Sequence, residues 1–257
     1  MKSKNNYVQL LRHATLVVKM GELTMLVDPM LSPKDTLDPV QNAENNFRFP
    51  MVDLPLDEQQ LKKLLNEVDV ILITHTHRDH WDVAAQTLIE KIRPILCQSS
   101  DLEKIKEQGF TDVHAVEDKI IWEGITIHRT GGQHGTGEIG KKMGEVSGFV
   151  LTEGKDNVYI AGDTIWCDEV KKTLHDFKPT VTVVNAGAAQ FLTGDPITMT
   201  PDDISNVCSH SSNQVIAVHM DTVNHCLVKR DDLKKYLTEK NLASRVDIPS
   251  DGETIFI

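Results

Sequence analysis

Long apolar runs and paired cysteines are both missing from this 257-residue sequence. No apolar stretch approaches the roughly 20 residues that a helix needs to cross a bilayer. The first residues show neither the apolar core nor the small-residue cleavage site of a signal peptide, so we expect none. The four cysteines are far apart and include no Cys-x-x-Cys pair, and a chain of this length needs no disulfides. We therefore expect a cytoplasmic protein with free thiols and no membrane partner.

The sequence also lacks an excess of basic residues. It has 27 Lys and Arg against 38 Asp and Glu, which gives a formal net charge of −11 at pH 7. Broad nucleic-acid binding depends on basic side chains that neutralise phosphates, so we expect no nucleic-acid partner. Apolar residues make up 40% of the chain and charged residues 25%, as in globular proteins. Because no internal repeat or flexible linker divides the chain, we predict one domain over residues 1–257.

The hydrophobic pattern predicts mixed α and β structure. Apolar and β-branched runs between turn residues predict strands at 7–20, 23–29, 70–74, 94–97, 119–130, 148–152, 158–161, 180–185, 214–218 and 253–257. Helical spacing and capping residues predict helices at 57–68, 82–92, 101–109, 200 onward and 229–239. Hairpins at the start and in the middle, with helices between and after them, favour two packed sheets covered by helices. The aperiodic segment 31–56 has a length typical of functional or disordered loops.

The clearest chemical signal is the segment His75-Thr-His77-Arg-Asp79-His80, directly after an apolar strand. In extended backbone, residues two apart point to the same side, so His75 and His77 can present two imidazoles to one metal. Asp79 and His80 lie just beyond, where they can serve a second metal. Imidazole with carboxylate suits zinc, iron or manganese rather than calcium. The segment predicts a metal site at the end of this strand.

Three later positions can complete such a site: His134, Asp163 and His219. Each follows a predicted strand, beside small residues that allow close approach of the backbone. Taken singly, a lone His after a strand is more often a hydrogen-bonded structural residue, and a turn residue or helix cap would explain Asp163. Taken together, and all at the carboxyl ends of strands, they favour a metal centre.

This order of motifs, HxHxDH, an isolated His, Gly-Asp and a last His, resembles that of the metallo-β-lactamase superfamily. Segments 12–15, 27–31, 135–140 and 185–187 resemble the branch that contains L-ascorbate-6-phosphate lactonase. The resemblance implies fold class α/β (α+β), as a four-layer αββα sandwich in a single domain with the metals at one edge of the sheets. It also makes a homo-oligomer an expectation.

The resemblance also assigns roles. It implies that one metal is held by His75, His77 and His134, and that the other is held by Asp79, His80 and His219. Asp163 would bridge them. Asp28 matches an early Asp that orients a ligand histidine, as carboxylates near metal sites do, although an Asp that starts a turn before proline explains it nearly as well.

Two adjacent divalent cations lower the pKa of bound water enough to supply hydroxide near neutral pH. We expect zinc first, with manganese or iron as alternatives, and we expect Asp79 to relay a proton to the leaving group. The predicted function is metal-dependent hydrolysis of a small lactone or ester, with an anionic sugar-phosphate lactone as the type of substrate. A phosphodiesterase or nuclease, a di-iron redox module, and metal-dependent binding without turnover remain alternatives.

Four further residues are candidate substrate contacts. Arg48 and Arg78 can form forked hydrogen bonds to a carboxylate or phosphate. Asp221 and His225 follow the last predicted ligand and can line the pocket, although a surface loop or helix cap explains them equally well. The remaining histidines have no ligand-type residues around them in the sequence, so we predict structural or surface roles for His13, His114, His128, His175 and His210.

Overall fold

The computed structural model describes residues 6–257. Within this range the strands are β1 (Tyr7–Arg12), β2 (Thr15–Met20), β3 (Leu23–Val27), β4 (Val70–Ile73), β5 (Ile95–Cys97), β6 (Val113–Ala115), β7 (Lys119–Trp122), β8 (Ile125–Gly131), β9 (Ser147–Glu153), β10 (Asp156–Ile160), β11 (Val181–Asn185), β12 (Gln214–Val218), β13 (Val246–Asp247) and β14 (Thr254–Phe256). The helices are α1 (Glu58–Glu67), α2 (Val83–Leu88), α3 (Leu102–Glu107), α4 (Gly137–Met143), α5 (Asp168–Phe177), α6 (Pro201–His210) and α7 (Arg230–Glu239). Residues 1–5, the start of the predicted domain, lie outside the described range.

The strands form two seven-stranded sheets of matching design, in the orders β14-β1-β2-β3-β4-β5-β6 and β13-β12-β11-β10-β9-β8-β7. In the first sheet β2 is antiparallel to both β1 and β3, and β3 is parallel to β4. In the second sheet β9 is antiparallel to both β8 and β10, and β10, β11 and β12 are parallel. Strands β1, β3 and β4 therefore share one direction, as do β8, β10, β11 and β12. Within each sheet, the carboxyl ends of these strands meet at one edge.

The two sheets pack face to face and bury a common core. Alternation along the strands places one set of side chains between the sheets, including Leu16 and Leu72 from the first and Phe149 and Val183 from the second. The opposite faces are covered by helices: α1, α2 and α3 pack on the first sheet and α5, α6 and α7 on the second. The expected four-layer αββα sandwich of the α/β (α+β) class is confirmed.

Local signals account for several element boundaries. Helix α6 begins at Pro201 because the Thr200 hydroxyl accepts a hydrogen bond from the Asp203 backbone N–H at 3.2 Å and the Asp203 carboxylate caps Thr200 in return. Helix α2 ends four residues before the predicted limit, because the backbone turns extended at Ile89 and buries that side chain.

Other elements differ from the prediction or were missed by it. The predicted strand 7–20 is two strands, since the chain turns at residues 13–14. Elements β6, α4, α5 and β13 have no counterpart in the prediction. Among residues 6–257, no helix is long and apolar enough to cross a membrane.

Candidate metal centre

The predicted ligands gather where the parallel strands of the two sheets end. His75 and His77 follow β4, His134 follows β8, and His219 follows β12 directly. Asp163 lies three residues beyond β10. All of these side chains are buried except His77, which is partly exposed. The topology thus places residues far apart in sequence within reach of one another.

One set of imidazoles, which we call the outer group, consists of His75, His77 and His134. These residues each offer a nitrogen within 4.8 Å of the other two. The Nε2 atom of His75 lies 3.0 Å from Nδ1 of His77. Zinc–nitrogen bonds of about 2.0–2.1 Å at tetrahedral angles separate ligand atoms by about 3.3–3.4 Å, so the group can hold a cation after small shifts.

A second set, the inner group, consists of Asp79, His80 and His219. The Nε2 atoms of His80 and His219 are 3.3 Å apart. Asp79 Oδ2 lies 3.9 Å from Nε2 of His80 and 3.8 Å from Nε2 of His219. These three atoms also match the spacing of ligands around a single cation.

Asp163 lies between the two groups. Its Oδ2 atom is 3.2 Å from Nε2 of His80 in the inner group and 3.5 Å from Nε2 of His134 in the outer group. Its Oδ1 atom is 3.3 Å from Nε2 of His219. This carboxylate is therefore placed to serve both groups at once.

The position of Asp163 depends on its neighbours. Gly162 has a φ of +68°, and a Cβ atom there would lie 2.5 Å from the carbonyl oxygen of Ser147, so only glycine fits. At the end of β11, Asn185 Nδ2 donates a hydrogen bond to Asp163 Oδ1 at 2.6 Å. The Gly-Asp pair in the sequence thus reflects a tight turn that directs the carboxylate into the cluster.

Hydrogen bonds hold the imidazoles in orientation. Asp28 Oδ2 lies 2.8 Å from Nδ1 of His80, while Asp28 itself accepts bonds from the backbone N–H and the hydroxyl of Thr74 at 2.8 and 2.7 Å. The expectation that Asp28 orients a ligand histidine stays a prediction. His134 Nδ1 lies 2.8 Å from the carbonyl oxygen of Ile197. Because Nδ1 of each ring already has a hydrogen-bond partner, Nε2 of His80 and Nε2 of His134 remain available to bind a metal.

The charges in the cluster also fit a bound cation. Three buried carboxylates, Asp28, Asp79 and Asp163, approach histidines, and none pairs with Lys or Arg among residues 6–257. Burial disfavours ionisation of Asp163, but His219 and His80 outweigh it and hold the pKa of this carboxyl well below its usual range. Burial likewise opposes a charge on His80, yet the surrounding carboxylates raise its pKa well above the usual value. A cation bound by His80 would displace this proton, because a metal-ligating imidazole is neutral.

Other histidines of the cluster are in the form that binds metals. Burial lowers the pKa of His219 to about 3, and burial also lowers the pKa of His75 and His77. Their imidazoles are neutral near pH 7, and neutral imidazole is the ligand species. The His and Asp cluster is therefore able to hold metal.

His13 belongs to this cluster too, although the sequence showed no ligand-type residues around it and the predicted role was structural or at the surface. Its Nε2 atom lies 3.3 Å from Asp79 Oδ2, and it joins Asp79, His80 and His219 in one group of potential ligands. His13 follows β1, which runs in the same direction as β3 and β4. The sequence signal that could have identified His13 is its position at the end of β1. Because the turn between β1 and β2 is so short, the sequence predicted one continuous strand there and the end of β1 was not recognised.

A cavity of about 370 Å³ opens over the cluster. Its walls include the ligand candidates His77, Asp79, His134 and Asp163. The other lining residues are mostly apolar or neutral: Val40, Gln41, Asn42, Met143, Phe191, Ile197 and His225. Arg78 is the only Lys or Arg among the described residues that line it. The loop 31–56 and the segment 133–146 both contribute residues to its walls.

Only two of the four candidate substrate contacts reach this cavity, namely Arg78 and His225. The guanidinium of Arg48 instead donates to the carbonyl oxygens of Asp35 and Thr36 at 2.8 and 2.7 Å and pairs with the carboxylate of Asp38. Asp221 pairs with Arg230 at 3.0 Å. The contacts of Arg48 and Asp221 thus give these residues a structural role and no place in the pocket.

Comparison with known proteins agrees with this architecture. Residues 24–220 match the family model described as the beta-lactamase superfamily domain. The chain is 34% identical over 249 residues to UPF0173 protein YddR of Bacillus subtilis strain 168, covering 95% of this chain and 97% of that protein. A crystal structure described as "a possible metal-dependent hydrolase" from Veillonella parvula DSM 2008 superposes with a TM-score of 0.94 at 38% identity, over 98% of this chain and 100% of the other.

A second solved structure is that of an isothiocyanate hydrolase from Delia radicum gut bacteria. It superposes with a TM-score of 0.92 at 35% identity, covering 97% of this chain and 98% of the other.

The resemblance to the lactonase branch stays a prediction. The family match, the strong similarity along nearly the whole chain and the His and Asp cluster agree: the chain belongs to the β-lactamase superfamily and is a metal-dependent hydrolase.

Proposed function

We propose that this enzyme holds two divalent cations, with zinc as the first candidate, and hydrolyses a small uncharged electrophile of the isothiocyanate class. The observation that carries this proposal is the cavity, in which the ligand cluster forms one wall while apolar side chains form much of the rest. A substrate that fits must place an electrophilic carbon at the cluster and an apolar substituent against Met143, Phe191 and Ile197. Isothiocyanates have this form, and the similarity along 97% of this chain to the isothiocyanate hydrolase from Delia radicum gut bacteria supports this class over other electrophiles.

The proposed ligands are the outer group for one cation and the inner group for the other, with Asp163 shared between them. The distances within each group and the unbalanced carboxylates support this assignment. Such cations, when bound, supply Lewis acidity and lower the pKa of water. Manganese or iron would suit the same ligand types.

In the proposed reaction, the oxygen of water forms a bond to the central carbon of the N=C=S group. The carbon–nitrogen bond then breaks, both protons of the water end on nitrogen, and the products are an amine and carbonyl sulfide. In this proposal Asp79 carries a proton from the water to the departing nitrogen, which its place in the cavity wall and in the inner group supports.

We also propose that His225 contacts the substrate. It lines the cavity, and burial lowers its pKa to about 4, so the ring is neutral near pH 7. A neutral imidazole in this place can donate one hydrogen bond to sulfur or nitrogen of the substrate without bringing a charge into the cavity.

A lactone or ester with an anionic group is the second candidate, and Arg78 is the observation that favours it. The guanidinium of Arg78 already donates to the carbonyl oxygen of Pro39 at 2.9 Å and lies 4.7 Å from the ring centre of Phe49. Because Arg78 is the only Lys or Arg of the described residues in the cavity walls and is already engaged, we rank this substrate class second. The expectations of a cytoplasmic location and a homo-oligomer stay predictions.

The test is a substrate panel on metal-analysed protein that has been reconstituted with zinc, manganese or ferrous iron. We expect metal-dependent release of benzylamine from benzyl isothiocyanate, and slower turnover of a sugar-phosphate lactone and of bis(p-nitrophenyl) phosphate. Turnover of only the lactone or only the phosphodiester would contradict the substrate class. Tightly bound iron with reversible redox chemistry and no hydrolysis would favour the di-iron redox module.

Matched variants locate the reaction in the cluster. His77→Ala should abolish hydrolysis, whereas His175→Ala, which changes a histidine whose side chain is 85% exposed on α5, should leave it unchanged. The role of Asp79 is tested separately, because unchanged turnover by fully metallated Asp79→Asn would remove this carboxylate from proton transfer.

A further inference from the structure

The function proposed above leaves one buried histidine of the cluster without a role. His13 lies in the short turn between β1 and β2, is fully buried and has a left-handed backbone with a φ of +59°. Its ring stacks on that of His219 with the ring centres 3.6 Å apart, and its carbonyl oxygen accepts the backbone N–H of His219 at 2.8 Å. These two contacts fix the ring beside the inner group.

The approach of His13 to Asp79 comes from the side away from the cavity. His13, His80 and His219 do not line the cavity, whereas Asp79 does. The Nε2 atom of His13 lies 3.3 Å from Oδ2 of Asp79. At this distance the imidazole can either donate a hydrogen bond to the carboxylate or share a cation with it.

The location of the single proton on the neutral ring distinguishes these two arrangements. If Nε2 bound a cation, the proton would sit on Nδ1, and His13 Nδ1 is buried with no hydrogen-bond partner among residues 6–257. A buried N–H donor without an acceptor is rare in proteins. If Nε2 carries the proton, it has Asp79 as its acceptor, and Nδ1 has only an unused lone pair. The second arrangement leaves no donor unsatisfied.

We propose that His13 is a positioning residue that donates its Nε2–H to Asp79 and so fixes the direction in which this carboxylate faces the inner cation. The proposal rests on the ligand set proposed above. Carboxylate ligands of metals are commonly held by such hydrogen bonds, and loss of one typically lowers metal affinity. His13 would thus do for Asp79 what Asp28 does for His80.

The experiment compares two substitutions at this position. His13→Gln keeps an N–H donor near the place of Nε2 but removes the imidazole, whereas His13→Leu keeps the bulk and removes the donor. We expect His13→Leu to lower zinc affinity by about 10–100-fold in competition with a chromophoric chelator, and His13→Gln to stay within about threefold of the unaltered protein. The visible spectrum of the cobalt(II) form should be the same for the unaltered protein and His13→Gln.

His114→Gln is the matched control. His114 makes the same kind of contact, 2.6 Å from Asp112, but on the surface of the first sheet. This substitution should change neither zinc affinity nor the cobalt spectrum. If His13→Leu does not fold, His13→Asn, whose amide is too short to reach Asp79, takes its place.

Two outcomes would overturn the proposal. If His13→Gln binds zinc as weakly as His13→Leu and its cobalt spectrum changes, His13 is a metal ligand. If both variants bind like the unaltered protein, His13 does not position Asp79. Failure of the unaltered protein to bind zinc, manganese or iron would instead contradict the proposed function itself.

Discussion

The outer and inner groups contain similar ligands, but their surroundings differ. In the outer group, His77 is partly exposed and lines the cavity, and Nδ1 of His75 has only the Thr74 hydroxyl, at 3.0 Å. In the inner group, every side chain is buried and has a partner behind it. Those partners are Asp28 for His80, Cys226 for His219 at 3.6 Å, and His13 for Asp79. The fold therefore supports every inner ligand from behind, whereas in the outer group His134 has a comparable partner in the Ile197 carbonyl oxygen and His77 opens into the cavity.

This difference indicates that the two positions differ in how firmly they hold a cation. A ligand set held by buried hydrogen bonds is organised before the cation arrives, which favours tight and geometrically fixed binding. A set that opens into a cavity can adjust as substrate enters. We expect the inner position to bind its cation more tightly than the outer position.

The largest effect should come from the residue that the two groups share. Asp163→Asn removes the carboxylate that lies within 3.5 Å of His80, His134 and His219, so metal affinity should fall at both positions. This fall in metal affinity should exceed the fall of about 10–100-fold that typically follows the loss of a supporting hydrogen bond. Bound metal per protein after gel filtration measures it. Asp231→Asn, at a carboxylate that is 96% exposed on α7, is the control and should retain all metal.

Removal of one group at a time should separate the two positions. His134→Ala changes only the outer group and His219→Ala only the inner group, so each should keep one equivalent of metal. His134→Ala keeps the inner position and His219→Ala keeps the outer one. The metal ion that remains in His134→Ala should therefore bind more tightly than the one that remains in His219→Ala, as measured by chelator competition. Loss of both equivalents in either variant would show that the two groups do not act as separate positions.

The smallest effect should come from a residue outside both groups. Arg48→Ala removes contacts within the loop 31–56, so metal affinity and turnover should change by less than about twofold. The free energy of unfolding should fall by about 1 kcal/mol or less, because the ion pair with Asp38 is exposed. Urea denaturation measures this fall.

In Arg78→Ala, by contrast, a rise in the Michaelis constant for an anionic lactone would show that the cavity guanidinium binds substrate.

The sequence predicted the parts of the centre that local spacing determines. His75, His77, Asp79 and His80 lie within six residues at the end of one strand, so their proximity needs no knowledge of distant contacts. His134, Asp163 and His219 could be chosen because each follows a recognisable strand. The packing of helices on both sheets followed from the alternation of hairpins and helices.

The parts that were missed depend on distant contacts. The position of His13 at the ligand edge is set by two antiparallel pairings, β1 with β2 and β2 with β3, which place the end of β1 beside the end of β3. The interaction of Arg48 with its own loop, and of Asp221 with Arg230, depends on loop conformation. No spacing rule contains that information.

The ligand groups also join the two sheets mechanically. The outer group takes His75 and His77 from the first sheet and His134 from the second, and the inner group takes Asp79 and His80 from the first and His219 from the second. Each proposed cation therefore acts as a cross-link between the layers at the edge where the core ends. Because the unfolded chain lacks this arrangement, we expect stability to be coupled to metal supply. Each bound cation adds about 1.4 kcal/mol to the free energy of unfolding for every tenfold rise in free metal above its dissociation constant.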